Sequence, residues 1–443
     1  MQEQKIINQN MIEELIELDK KYYFHPTSSL KKQKQEGPDF IFTEGEGVYL
    51  KDVYGKKVFD GLSSLWNVNV GHGRKELADA AQQQMTKLAF SSSFASLSHE
   101  PAIRLAAKIA SLTPGDLNSI FFTSGGSESN DTAFKLIRHY WILKGQPEKK
   151  IIISRKRSYH GVAMGATSAT GLDAFHHFTN SNDPDFRHVK NDSVENLQAL
   201  IDKEGADNIA AYISEPVQGT GGVLPTHEDY FKQVKEICEK NNILFVADEV
   251  ITGFGRTGTY FGIQQYGVEP DMITFAKGVT SGYMPLGGVA IKERIKEVFD
   301  SKSEGILFHG YTYSGHPAAC AVALKNIDII EREGLARNAK EMGSVLLKAF
   351  QDVQKKHDTV GEVRTIGLLG AVELIKKGEE PMAPKVVKET LKRGLICRGT
   401  IYEGSDTLVF APPLIVTEEQ IHEMVSILDE AIFAVEENVY SSM

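Results

Sequence analysis

Residues 242–258 read NILFVADEVITGFGRTG. Ile243 to Ala247 form an unbroken apolar run of strand length, and such runs mark strands buried on both faces, as in parallel sheets. The run ends in Asp248 and Glu249 and opens onto glycines. Adjacent strand residues point to opposite faces, so one carboxylate can face a site while the other faces away, which argues against a shared metal. Bonding of both acids to loop amides is the plainer alternative. An apolar run ending in Asp-Glu also resembles the Mg-binding strand of nucleoside triphosphatases, but the phosphate loop with its lysine is missing.

Outward from this stretch the pattern repeats. SIFFTS, KIIIS, IAAYISEP and DMITFAK are short apolar runs, and LGGVAI is a candidate for one more. Helical stretches such as RKELADAAQQQMTKLAF and HEDYFKQVKEICEKNN lie among them. Strands alternating with helices predict parallel crossovers and an α/β sheet. Residues 1–70 combine an amphipathic helix (Ile12, Leu15 and Ile16 at helical spacing) with a hairpin, GVYLKDVYGKKVFDG, turning at Tyr54-Gly55-Lys56. After residue 330, long helices mix with short strands (LLGAVEL, GLIC, TLVFAPPL). The predicted organisation is a large domain over 71–329 and a smaller α+β domain over 330–443 joined by 1–70, with no flexible linker.

The composition suits a globular protein: 443 residues, 41% apolar, 24% charged and a net charge of −10. No basic run suggests nucleic acid, and no apolar stretch suggests a membrane partner. The N-terminus lacks the pattern of a signal or transit peptide. Cys238, Cys320 and Cys397 are scattered, without CxxC or Cys/His clustering. A cytoplasmic location without metal or disulfide framework is the expectation.

In a parallel sheet, ligands gather beyond the strands' carboxyl ends. TSGGSES places Gly125, Gly126 and Ser127 where a strand gives way to a helix, a seat for a single phosphate, or equally a helix cap with Glu128 or Asp131 in its first turn. ITFAKGVTSGYMPLGG puts Lys277 at a strand end followed by small residues. A lone lysine there is ordinarily a solvated one. A phosphate seat, a carboxylate and a lysine on successive strand ends are, however, what pyridoxal phosphate requires. The lysine forms the imine with its aldehyde, and the carboxylate keeps the pyridine nitrogen protonated. Tyr159 and His160 offer an aromatic face for stacking, or simple packing.

These motifs in this order resemble the class III pyridoxal-phosphate aminotransferases of fold type I. The likeness runs from DGLSSLWNVNVGHGR through TSGGSES, YHG, EPVQGTGG, VADEVITGFGRTG, TFAKG and MPLGG to FHGYTYSGHPAACAVAL and GLICRG. It implies Lys277 as Schiff-base lysine and proton shuttle, Asp248 at the pyridine nitrogen, and Gly126 and Ser127 at the phosphate. It places Val250 opposite Tyr159, and Glu215 and Gln218 in the cofactor pocket. Thr312 would reach the partner subunit's phosphate in a homodimer or dimer of dimers with shared sites. Gly125 stands where many relatives have serine.

Within the family the chain looks most like ω-aminotransferases that move an amino group from a terminal amine or ω-amino acid to pyruvate. Trp66, Phe94, Tyr159 and Tyr311 match substrate-pocket positions. Arg398 matches a mobile arginine that pairs with the keto acid's carboxylate. Thr220 replaces the glutamate of γ-aminobutyrate-type enzymes. Other readings are the biotin-pathway aminotransferase (adenosylmethionine-8-amino-7-oxononanoate), whose Trp-Trp pair is Leu65-Trp66 here, an aminomutase or decarboxylase, and a non-enzymatic nucleotide-binding regulator.

Overall fold

Seven apolar runs assemble into one sheet in the computed structural model, which describes residues 9–180, 182–190, 193–376 and 380–440. In chain order they are β1 (Ser119–Thr123), β2 (Ile151–Arg155), β3 (Phe186–Val189), β4 (Ile209–Ser214), β5 (Leu244–Asp248), β6 (Met272–Phe275) and β7 (Gly287–Ile291). The spatial order is β1-β7-β6-β5-β4-β2-β3. The pairs β5–β6, β5–β4, β2–β4 and β2–β3 are parallel. The run LGGVAI supplies β7, which is antiparallel to both β6 and β1. Phe275 pairs with Gly288, so the amino end of β7 lies beside the carboxyl end of β6.

Strand alternation sorts the core into two layers. Phe245 and Ala247 of β5 pack with Tyr212, Phe231 and Ile273 on one face. Leu244 and Val246 pack with Ile213, Met272, Ile137 and Trp141 on the other. Asp248 continues the second series, so its side chain leaves the sheet toward the helix Gly126–Leu143. Glu249 belongs to the opposite face.

A four-stranded antiparallel sheet follows later in the chain, with Val360–Ile366, Leu369–Leu374, Ser405–Phe410 and Arg398–Tyr402 in spatial order. The helices Leu335–Lys356 and Ala383–Lys392 pack against it. The N-terminal hairpin forms with its turn where expected, between Tyr49–Asp52 and Lys57–Asp60. Lys57–Asp60 also pairs in parallel with Leu395–Ile396, so the two ends of the chain share a sheet. The helix Gln9–Tyr22 buries Ile12 of the expected stripe, while Leu15 remains 38% exposed. The boundary drawn at residue 330 falls inside the helix Pro317–Arg332. Residues 1–8 and 441–443, part of the two outer segments expected from the sequence, lie outside the described residues.

Candidate active site

The carboxyl ends of β1, β2, β4, β5 and β6 converge on a cavity of about 510 Å³. Asp248 and Lys277 line it from neighbouring strand ends, and Gly126 and Ser127 line it from the start of the helix after β1. No side chain caps that helix. Its first-turn amides and helix dipole are therefore available to an anion. A Cβ on Gly126 would come within 2.8 Å of Val250 Cγ1, so glycine is what lets the helix start approach the cavity wall. The Ser127 hydroxyl accepts a hydrogen bond from the Val162 amide at 3.0 Å.

Asp248 is held by three donors. Asn130 Nδ2 donates to Oδ2 at 2.8 Å, His160 Nδ1 lies 2.7 Å from the same oxygen, and the Val250 amide donates to Oδ1 at 3.0 Å. His160 thus serves as a partner of Asp248 from within the wall, where its side chain is wholly buried. Asn130 was missed in the sequence, although it follows Gly126 by one helical turn and so shares its face. Glu249 turns away. It accepts hydrogen bonds from Thr252 Oγ1 and from the Gly262 and Ile263 amides, and burial pushes its pKa up to about 7.

Lys277 sits in the left-handed region at φ +45, unusual for a residue with a side chain. Burial lowers its pKa to about 8 against the opposing pull of Asp248 and Glu215. Glu215 lines the cavity and accepts from the Tyr159 and Gly219 amides, each at 3.0 Å, while burial raises its pKa to about 6. Tyr159 and Val250 are both on the cavity wall, and the Tyr159 ring leans on Phe175 at 5.3 Å between centroids.

Trp66, Thr220, Ile251 and Arg398 form the remainder of the wall with Leu65 and Phe175. Arg398 begins a strand rather than a loop. Its guanidinium has no hydrogen bond or ion pair among the described residues, and burial holds its pKa below the usual arginine range. Arg364 differs: it donates to the Val223 and Gly222 carbonyl oxygens at 2.8 Å each and pairs with Glu373 at 2.9 Å, the contacts of a brace. Pro26 and Thr27 also reach the cavity, carried by an N-terminal segment that the Asp19–His25 and Asp19–Gln33 contacts fold back. No local pattern announces such a contact.

Some expected residues lie elsewhere. Gln218 is buried but donates to the Lys156 carbonyl at 2.8 Å, bracing the wall from behind instead of lining the cavity. Gly125 stands just outside, in extended backbone before the helix. Phe94 and Tyr311 are not on this chain's cavity, nor is Thr312, for which the expected place is a partner subunit's phosphate. Phe94 is 49% exposed, and the Tyr311 amide is tied to Ser314 Oγ in a loop.

The donor set fits pyridoxal phosphate. An uncapped helix start can hold the phosphate, a carboxylate fixed by three donors can meet the ring nitrogen, and a partly buried amine of lowered pKa faces both. The aminotransferase class-III family model matches residues 31–432. The chain is 39% identical over 447 residues to the putrescine–pyruvate aminotransferase of Pseudomonas aeruginosa, covering 94% of this chain and 96% of that one. A transaminase structure from the marine bacterium Virgibacillus superposes with a TM-score of 0.95 at 53% identity, covering 96% of this chain and all of that one. A thermostable (S)-enantioselective ω-transaminase from Thermomicrobium roseum gives 0.90 at 44% identity over 96% of this chain and 98% of its own. With site, fold and sequence in agreement, the chain belongs to the class III aminotransferases, and its cofactor is pyridoxal 5′-phosphate.

Proposed function

We propose that this aminotransferase moves an amino group from a terminal amine or ω-amino acid to pyruvate, forming alanine in a ping-pong sequence of two half-reactions. The observation that carries the reading is Arg398, a guanidinium on the cavity wall without an acid partner among the described residues. A cation in a partly dry cavity is costly unless a ligand brings the opposite charge. The carboxylate of a keto acid does so, and its planar oxygens match the guanidinium fork. Leu65, Trp66, Phe175 and Ile251 make the rest of that wall apolar, which suits a donor without an α-carboxylate. Thr220 adds no carboxylate to compete for the arginine.

The bound cofactor supplies an electron sink at the reacting carbon. Gly126 and Ser127 would hold its phosphate, and Tyr159 and Val250 would flank its ring. Asp248 would keep the ring nitrogen protonated, with His160 and Asn130 fixing the carboxylate's direction. Lys277 would take the proton from the substrate carbon and return it. Its pKa of about 8 leaves part of it neutral near pH 7, as a base requires. Phe94, Tyr311 and Thr312 would complete the site of a second copy in a homodimer. Supporting that reading, Phe94, Ile306 and Phe308 are each exposed apolar residues, the last 92% exposed. No helix of the described residues is long and apolar enough to cross a membrane.

The test is a panel of diamines, β-alanine and arylalkyl amines offered to the purified holoenzyme with pyruvate. Alanine made in step with donor consumption is the expected result. Turnover with S-adenosylmethionine alone, or carbon dioxide release without alanine, would contradict the proposal.

A further inference from the structure

A second cavity, of about 620 Å³, lies where the helix Leu335–Lys356 meets the turn Thr257–Thr259 and the hairpin turn at Gly367. Close backbone packing fixes its floor. A Cβ on Gly343 would come within 2.2 Å of the Gly367 carbonyl oxygen, and one on Gly367 within 2.5 Å of the Thr257 carbonyl carbon. One wall is a single helical stripe, Lys340, Ser344, Leu347, Lys348 and Gln351, set by spacings of three and four. Thr257 and Thr259 contribute hydroxyls from the opposite side.

Among the described residues the lining contains no carboxylate, in a chain with 59 acidic residues against 49 basic ones. Cavities of similar size elsewhere carry acids: Glu333 and Glu341 in one, Glu36 and Asp52 in another, Asp429 and Glu430 in a third. The Lys340 and Lys348 ammonium groups make no hydrogen bond or close ion pair among the described residues, although Lys348 lies near enough to Asp352, outside the lining, to help lower that carboxyl's pKa. On the same helix, by contrast, Lys355 and Lys356 are tied to Asp352 and Asp429. Concave walls whose lining charges are all positive concentrate anions. Lysine and hydroxyl donors without an arginine fork suit the oxygens of a phosphate better than a planar carboxylate. The two lysines stand about 12 Å apart along the helix axis. Leu347 and Ile366 lie on the wall as apolar surface.

We propose that this cavity binds a phosphate-bearing small molecule of nucleotide size, its phosphate at Lys340 or Lys348 and its ring on Leu347 and Ile366. The volume is within the range of about 300–1,000 Å³ found for small-molecule sites. The turn at Gly258 closes the stretch that begins at Asp248. Between them, buried Arg256 donates to the Leu368 and Pro412 carbonyl oxygens and to Asn69. A ligand in the cavity therefore touches the far end of the loop that leaves β5 after Asp248.

The test is calorimetric titration of the cofactor-loaded enzyme with adenosine 5′-monophosphate, pyrophosphate and sulfate at fixed ionic strength. Saturable binding of the nucleotide is expected. Lys340→Gln and Lys348→Gln should together weaken it by about tenfold or more, with cofactor absorbance and nucleotide-free transamination unchanged. No saturable binding, or the same affinity in the double variant, would overturn the proposal. Binding of pyrophosphate without the nucleotide would overturn the assigned size class, and equal binding of sulfate would reduce the cavity to an unselective anion trap.

Discussion

Lys277 holds φ +45 at the end of β6, a backbone cost on the order of 1–3 kcal/mol that persists only where surrounding structure enforces it. That strain aims an amine at the cavity that Asp248 also lines. Lys277→Ala should fold and lose turnover, because no other lysine among the described residues lines the cavity. Peptide mapping after borohydride reduction of the wild type should find the pyridoxyl group on Lys277, and finding it elsewhere would sink the assignment. Asp248→Asn should keep the cofactor's visible absorbance and lose several orders of magnitude in rate, since a neutral pyridine is a poor electron sink. Near-normal turnover would hand the role to another acid. The amine also predicts a pH effect on the apoenzyme. Its pKa falls from 10.5 to about 8 on folding, so between those values the unfolded chain binds more protons and stability rises with pH. Denaturation of apo wild type and apo Lys277→Ala at pH 8 and pH 10 should show the wild type gaining relative to the variant, and no relative gain would refute the shift. At this scale the sequence was informative where periodicity rules. Alternation on β5 sends Asp248 and Glu249 to opposite faces, as expected. Gln218 lies in a two-residue strand, Val217–Gln218, too short for any period to tell where its side chain goes.

The helix Gly126–Leu143 does two jobs, presenting an uncapped start and reaching Asp248 through Asn130. Both depend on how closely that start approaches Val250. Gly126→Ala would bring a methyl group within 2.8 Å of Val250 Cγ1, tighter than side chains tolerate. Apoenzyme of this variant should bind pyridoxal phosphate at least about fivefold more weakly in a fluorescence titration, by the 1–3 kcal/mol cost of overpacking. Unchanged affinity would show that the helix start is not the phosphate seat. Most strands of the large sheet could be read from apolar runs alone, but the direction of β7 could not. A buried run looks the same in either orientation, and only pairing with β1 and β6 decides it. Pro26 and Thr27 were invisible for a related reason. Their place at the cavity comes from long-range folding back of the N-terminal segment, not from any local pattern.

At the scale of the whole molecule, the two ends of the chain share a sheet, and the antiparallel sheet delivers Arg398 to a cavity built by the parallel one. Of the residues singled out from the motifs, Trp66, Gly126, Ser127, Tyr159, His160, Glu215, Asp248, Val250, Lys277 and Arg398 line that cavity, and Gly125, Gln218, Phe94, Tyr311 and Thr312 do not. That Arg398 arrives without an acid partner while Arg364 is consumed by carbonyls and Glu373 required the folded chain. The proposed function turns on this difference. Pyruvate brings a carboxylate to Arg398, whereas a simple amine brings none. Losing the partner of such a charge costs about 3–5 kcal/mol. The most direct measurement is single-turnover spectroscopy of Arg398→Ala, with each half-reaction followed separately. The half-reaction with a carboxylate-free amine should stay within about threefold of wild type, while that with pyruvate should weaken by about a hundredfold or more. Equal damage to both would make Arg398 a structural residue, and a pyruvate-specific defect in Arg364→Ala instead would move the carboxylate site and contradict the account.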